Sequence, residues 1–166
     1  MKRRLALVAG ALVLSCGGQS DGPSPADETP APKTEARVTS LPAELVGPEG
    51  QTVSVSGDSA ALVYLWLPLP GHSPTEGDLR ALAGIHRSGR ARALPIQLDA
   101  ASRNLAQTQV NGLGLSMPVY LADSSILESL GEGHLPAALL ATPGRHRTAT
   151  GFGSPSRLLL RDGDGP

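Results

Sequence analysis

Sulfur and aromatic rings are the scarcest materials in this chain. Its 166 residues include one cysteine, Cys16, which excludes an intrachain disulfide, a cysteine zinc site and a dithiol redox pair within a monomer. One Trp, two Tyr and one Phe are its only aromatic residues, so a core must be built from Leu, Ala and Val. Charged residues make up 17% and the formal net charge is −1, which excludes the basic footprint of a nucleic-acid binder. No phosphate loop, dinucleotide fingerprint or internal repeat is present, so neither a nicotinamide nor a flavin cofactor is implied. What remains is 40% hydrophobic, enough for one ordinary domain.

The beginning of the chain reads as an address. Lys2, Arg3 and Arg4 form a basic region, and residues 5–14 are an apolar run of Leu, Ala, Val and Gly. Ten helical residues span about half of a bilayer core, too few for a transmembrane helix but suited to a signal peptide over residues 1–15. The run ends in Val13-Leu14-Ser15-Cys16, which resembles the lipobox of bacterial lipoproteins. That resemblance implies cleavage before Cys16 and acylation of its sulfur, so that the partner at this end is a lipid bilayer. Without Lys2, Arg3 and Arg4 the Lys+Arg count falls from 14 to 11 against 15 Asp+Glu, a formal charge of −4. A mildly acidic body is not drawn to an anionic surface, so the lipid does the anchoring. Gly17 and Gly18, where inner-membrane lipoproteins carry Asp, point to the outer membrane, facing the periplasm or the surface.

Residues 16–40 hold Pro23, Pro25, Pro30 and Pro32 among Gly, Ser, Asp, Glu and Thr. Such a segment buries too little to offset its chain entropy and is expected to be a disordered tether. Residues 41–166 read as one α/β domain. After the Glu49-Gly50 turn, residues 51–55 (QTVSV) alternate polar and apolar as a short strand does. Residues 60–67 (AALVYLWL) suit a strand buried on both faces. Ser73 with Glu76 forms a capping-box pattern with Pro74 just inside, opening a helix that ends near Gly89. Residues 92–98 make a strand weakened by Pro95, and residues 102–110 a second helix. A short strand over 118–122 follows, then a small helix introduced by a Ser125–Glu128 box and ending at Gly131. Residues 137–141 and 146–151 form a hairpin about Pro143-Gly144, and Ser154-Pro155 opens a last helix through Arg161. Interleaved strands and helices predict a mixed central sheet with helices on both faces.

From about Leu41 to Arg161 the sequence resembles the TlpA-type thioredoxin-like proteins of bacterial envelopes. The residues that carry the likeness are Glu49-Gly50-Gln51-Thr52, Leu65-Trp66, Gly114-Leu115-Ser116-Met117-Pro118-Val119, Gly133-His134-Leu135-Pro136 and Pro143-Gly144-Arg145, in that order. The resemblance implies a thioredoxin-like fold and a cis-proline loop at His134, Leu135 and Pro136. It also aligns the family's Cys-x-x-Cys with Pro70-Gly71-His72-Ser73. Thiol–disulfide exchange needs an attacking and a leaving thiolate. Neither Pro70 nor Ser73 supplies one.

The expectation is therefore a redox-degenerate, membrane-anchored binding or assembly module of the cell envelope. Its partner surface is predicted at residues 69–73 with 134–136, facing an envelope protein or peptide. The alternative is a disulfide reductase or peroxiredoxin-like enzyme that borrows a cysteine from elsewhere. No catalytic residue, metal ligand or cofactor is assigned. Ser73 as N-cap has no need of a nucleophile's role, and His72 with His134 would offer a metal only a weak, open pair of imidazoles. His86 reads as a partly buried packing residue on the first helix, and His146 as a solvated hairpin residue. Arg87, Arg90 and Arg92 suit a helix C-terminus, where cations are favourable.

Overall fold

An uninterrupted apolar run forms the centre of the sheet. In the computed structural model, which describes residues 44–131 and 134–160, the third strand lies over Ala61–Leu65 and every one of its residues is buried. The signal peptide over residues 1–15, Cys16 and the tether to residue 40 lie outside the described residues.

The strands are β1 (Glu44–Val46), β2 (Thr52–Ser54), β3 (Ala61–Leu65), β4 (Arg92–Gln97), β5 (Tyr120–Leu121), β6 (Ala137–Thr142) and β7 (Arg145–Thr150). The helices are α1 (Ser73–Arg87), α2 (Ala100–Gly112), α3 (Ile126–Leu130) and α4 (Ser154–Leu160). The sheet runs β2-β1-β5-β4-β3-β6-β7. Strands β3, β4 and β5 are parallel, and the other pairs are antiparallel. Parallel neighbours need crossovers, and α1 and α2 supply them. Both pack with α4 on one face, against Leu62, Tyr64 and Trp66. On the other face α3 packs over Val63, Leu94, Ile96 and Leu139, joined there by the Leu45 side chain of β1. The mixed sheet with helices on both faces is thus the observed architecture. Each fully buried Leu contributes about 1.5–3 kcal/mol, so aliphatic side chains carry most of this core.

Pro95 sits inside β4 without breaking it. Ala122 N–H donates to the Gln97 carbonyl, so Gln97, and Pro95 two residues earlier, present their main chains toward β5. Strand β5 reaches only Ile96 and Gln97, so no partner acceptor stands opposite the missing N–H.

Several local expectations need correction. Strand β1 was not foreseen, because a three-residue strand with one buried side chain, Leu45, is too short to show periodicity. Ser73 is not the cap of α1: the helix already includes it, the cap is the extended His72, and no side chain caps the end. Ser125 makes no capping bond either; the Asp123 carboxylate accepts its N–H instead, at 2.9 Å. Helix α2 starts earlier than the pattern predicts, because Asp99 caps it by accepting from Ser102 N at 2.8 Å. His86 is exposed rather than packed, with Ile85 taking the inward position one step away on the helix. His146 is half-buried, not solvated, and its Nε2 is enclosed without a partner among the described residues.

Candidate functional site

At the carboxyl ends of β3 and β4 the chain leaves the sheet for α1 and α2, both on the same face. A crevice opens beside these strand ends. After Leu65 the chain turns through Trp66-Leu67-Pro68-Leu69 before Pro70-Gly71-His72 leads into α1. Two glutamines fix that turn. Gln97, buried in β4, donates from Nε2 to the Trp66 carbonyl at 2.9 Å. Gln109 of α2 accepts from the Trp66 indole N–H at 2.9 Å and donates to the Leu69 carbonyl at 3.1 Å. Leu69 N–H closes back on the Leu67 carbonyl at 2.8 Å. The result is a loop held at both ends, with Leu67 and Leu69 more than half exposed (58% and 54%).

Opposite this turn stands the segment His134-Leu135-Pro136, in which the Leu135–Pro136 peptide bond is cis. The Pro136 carbonyl accepts from Gly151 N–H at 2.7 Å. The next residue, Phe152, puts its ring 5.2 Å from that of His72. The turn at 151–152 therefore ties the cis-proline segment and the start of α1 to the same end of the sheet. Gly153 continues this linkage: its N–H donates to both oxygens of Asp78, at 2.8 and 3.1 Å, and Tyr64 Oη–H donates to Asp78 Oδ2 at 2.8 Å. Asp78 is buried in the middle of α1. Burial, followed by the neighbouring Asp78 carboxylate, pushes the Tyr64 hydroxyl far above its ordinary value, so Tyr64 stays neutral.

Between the fixed turn and the cis-proline segment lies a groove of about 550 Å³. Leu65 and Ala137 form part of its floor, Leu67 and Pro68 one wall, Leu127 and Leu130 of α3 another, and His134 with Leu135 its edge. This volume falls in the range of ligand-binding clefts. Pro70, Gly71, His72 and Ser73 are not among its lining residues. Gly71 takes a φ of 72°, which suits glycine, and His72 turns its Nδ1 to the Thr75 hydroxyl at 3.0 Å, half-buried against Phe152. Ser73 is exposed in the first turn of α1. The predicted surface is thus split. His134 and Leu135 border the groove with Leu67 and Pro68, while residues 70–73 stand outside it, with His72 against Phe152.

Sequence reasoning missed Gln97, Gln109 and Asp78. Gln97 ends a strand otherwise buried throughout, and Asp78 falls beside Leu79 on the inward face of α1. A polar residue in an apolar pattern was the available signal in both cases. Gln109 carried none.

This arrangement has solved counterparts. The fold is thioredoxin-like. The exposed lipoprotein thioredoxin of Streptococcus pneumoniae matches with a TM-score of 0.55 at 20% identity, covering 71% of this chain and 95% of that one. A secreted disulfide oxidoreductase of Mycobacterium tuberculosis, homologous to Escherichia coli DsbE, matches at 0.56 and 13%, covering 73% and 94%. DsbF of Mycobacterium tuberculosis, seen in mixed oxidized and reduced forms, matches at 0.56 and 18%, covering 74% and 96%. No protein-family profile matches the sequence, and no curated protein does. The secreted Mycobacterium tuberculosis neighbour is a disulfide oxidoreductase, whereas this chain has no cysteine after Cys16. No described helix is long and apolar enough to cross a membrane.

Proposed function

We propose that this chain is a lipid-anchored, TlpA-type thioredoxin-like module of the bacterial envelope that binds a polypeptide and does no sulfur chemistry. The observation that carries the reading is a mismatch. The loop that would hold the thiols holds Pro70 and Ser73, while the adjoining groove is formed and its wall is fixed by Gln97 and Gln109. A redox centre needs sulfur; a binding cleft needs only shape, apolar surface and a rigid rim. Preorganisation lowers the ordering cost of binding, which is what a non-catalytic binder gains from a clamped loop. Cys16, by its lipobox-like context, is the lipid attachment point, and residues 16–40 are the spacer.

The test is made in the native envelope with the full chain. An alkyne-tagged fatty acid is expected to label it and to fail on Cys16→Ser. A photocrosslinker at Leu135 is expected to capture a discrete envelope polypeptide, and one at the exposed Leu105 of α2 is not. The thiol–disulfide activity of the structural neighbours favours a second reading, an oxidoreductase using a cysteine from another chain. Dithiol-dependent insulin reduction by the Cys16→Ser chain would overturn the first reading in favour of the second.

A further inference from the structure

The charged rim of the groove says more about the polypeptide than its shape does. Most of the lining is aliphatic, and Leu67, Leu127 and Leu135 leave 58%, 43% and 42% of their surface exposed around the opening. Three exposed leucines facing one cleft form an anchor site for a bulky apolar side chain. Among the described residues lining it, Asp99 and Glu128 are the only Asp, Glu, Lys or Arg. Asp99 caps α2, and its bonds from Ser102 N and Oγ hold its carboxyl below the usual carboxylate range, so it is ionised. Glu128 lies on the exposed side of α3, and its carboxylate has no hydrogen-bond or ion-pair partner among the described residues. One carboxylate therefore stands on the α2 side and one on the α3 side of an apolar cleft, with no lysine or arginine among the described lining residues.

We infer that the groove takes a segment in which a bulky apolar residue is followed or preceded by a cationic one, Leu-Arg or Leu-Lys in type. The apolar side chain enters between Leu67, Leu127 and Leu135, and the cation stays at the wet rim beside Asp99 and Glu128. This inference rests on the polypeptide-binding reading above and adds its selectivity. Rim charges act mainly on discrimination and encounter, and an acidic neighbour in the partner is disfavoured by like-charge repulsion.

Three fluorescein-labelled peptides, Gly-Ser-Ala-Leu-X-Ala-Ser-Gly with X as Arg, Ala or Glu, test it by anisotropy. The full chain is carried in lipid nanodiscs, so that no detergent competes for the groove. The Arg peptide is expected to bind about fivefold tighter than the Ala peptide, and the Glu peptide about fivefold weaker, as one exposed ion pair allows. In 1 M salt the spread is expected to collapse while Ala-peptide binding persists. The combined Glu128→Gln and Asp99→Asn substitutions should abolish the preference; Asn keeps a capping oxygen for α2. Leu127→Asp should weaken all three peptides. Equal binding of the three, or a preference for Glu, overturns the charge selectivity and leaves the groove as a binding site. Failure of all three to bind at millimolar concentration overturns the selectivity and the polypeptide reading together.

Discussion

The two faces of the sheet are built from the same strands and do different work. The face under α3 is a mainly aliphatic pack of Val63, Leu65, Leu94, Ile96, Ile126, Leu130 and Leu139, with Tyr120 as its one ring. The face under α1, α2 and α4 mixes aliphatic residues with Tyr64 and Trp66, whose rings stack with centroids 5.5 Å apart. On this second face polar groups are buried on purpose: Asp78 receives Tyr64 and Gly153, and Gln109 receives the Trp66 indole. Apolar packing is non-directional, so the first face sets stability without setting geometry. Hydrogen bonds have direction, so the second face fixes where the loop after β3 goes. The groove opens over the plain face, yet its wall is held in position from the polar one.

The sharpest way to break that comparison is to damage the plain face and ask whether the loop notices. Leu139 of β6 is fully buried in this cluster; Leu139→Ala should cost about 2–5 kcal/mol in urea unfolding. The emission of Trp66, the only tryptophan, should stay unchanged in the folded variant. An altered emission spectrum would show that both faces position the loop.

The polar face should respond in the opposite way. Asp78→Ala leaves the Tyr64 hydroxyl and the Gly153 N–H without their acceptor, a loss of about 2–3 kcal/mol, while Tyr64→Phe should cost about 1 kcal/mol. The Asp78 change should also shift Trp66 emission through the stacked Tyr64. pH supplies a second reading of the same contact. The Tyr64 hydroxyl is raised in the folded state, so its contribution is fully present below the unfolded tyrosine value of about 10. It is lost progressively as pH rises above that value. Tyr64→Phe should therefore flatten the alkaline limb of stability, measured by urea midpoints from neutral pH upward. An unchanged limb would assign it to other groups, such as Tyr120, which burial also raises.

Which of this was legible in the sequence follows from the same division. Apolar runs announce themselves, so β3, β4, β6 and the first helix were found from pattern. The absence of sulfur at residues 70 and 73 is a statement about residue types and needs no geometry. Polar clamps depend on contacts between residues far apart in sequence, such as Gln109 with Trp66 and Leu69, and no local pattern encodes them. Caps failed for a related reason. Ser73 and Ser125 fit the capping-box spacing, but a competing contact holds the chain before each: a tertiary one of His72 with Phe152, and a local turn in which the Asp123 carboxylate accepts the Ser125 N–H. Where the local partner was unopposed, as with Asp99 and Ser102, the side-chain cap formed even though the pattern had not been noticed.

A smaller effect separates the two glutamines. Gln109→Ala removes the acceptor of the Trp66 indole and the donor to the Leu69 carbonyl, both at a half-open site where water can replace them. The stability loss should be about 1 kcal/mol, with a clear red shift of Trp66 emission. Gln97→Ala leaves the buried Trp66 carbonyl without its side-chain donor; a cost of about 1–3 kcal/mol is expected. If Gln109→Ala proved the costlier of the two, the α2 side would be the principal anchor of the loop.

The smallest expected effect lies at the rim and is electrostatic. Asp99 is fully exposed, and its carboxyl is held below the usual range chiefly by the Ser102 N–H, then by the Ser102 hydroxyl. A lowered folded value means that its contribution is present above the unfolded aspartate value and lost as pH falls through the folded one. Asp99→Asn retains a capping oxygen but cannot titrate, so it should leave neutral stability nearly intact and soften the acid limb. Asp99→Ala removes both the cap and the titration, and should lower the Tm slightly at neutral pH. Thermal melts from pH 7 down to pH 3 separate the two variants. If both variants follow the parent at every pH, the cap does not stabilise α2, and the helix is held by burial of Ala106 and Val110 in its middle and last turn against the aromatic face.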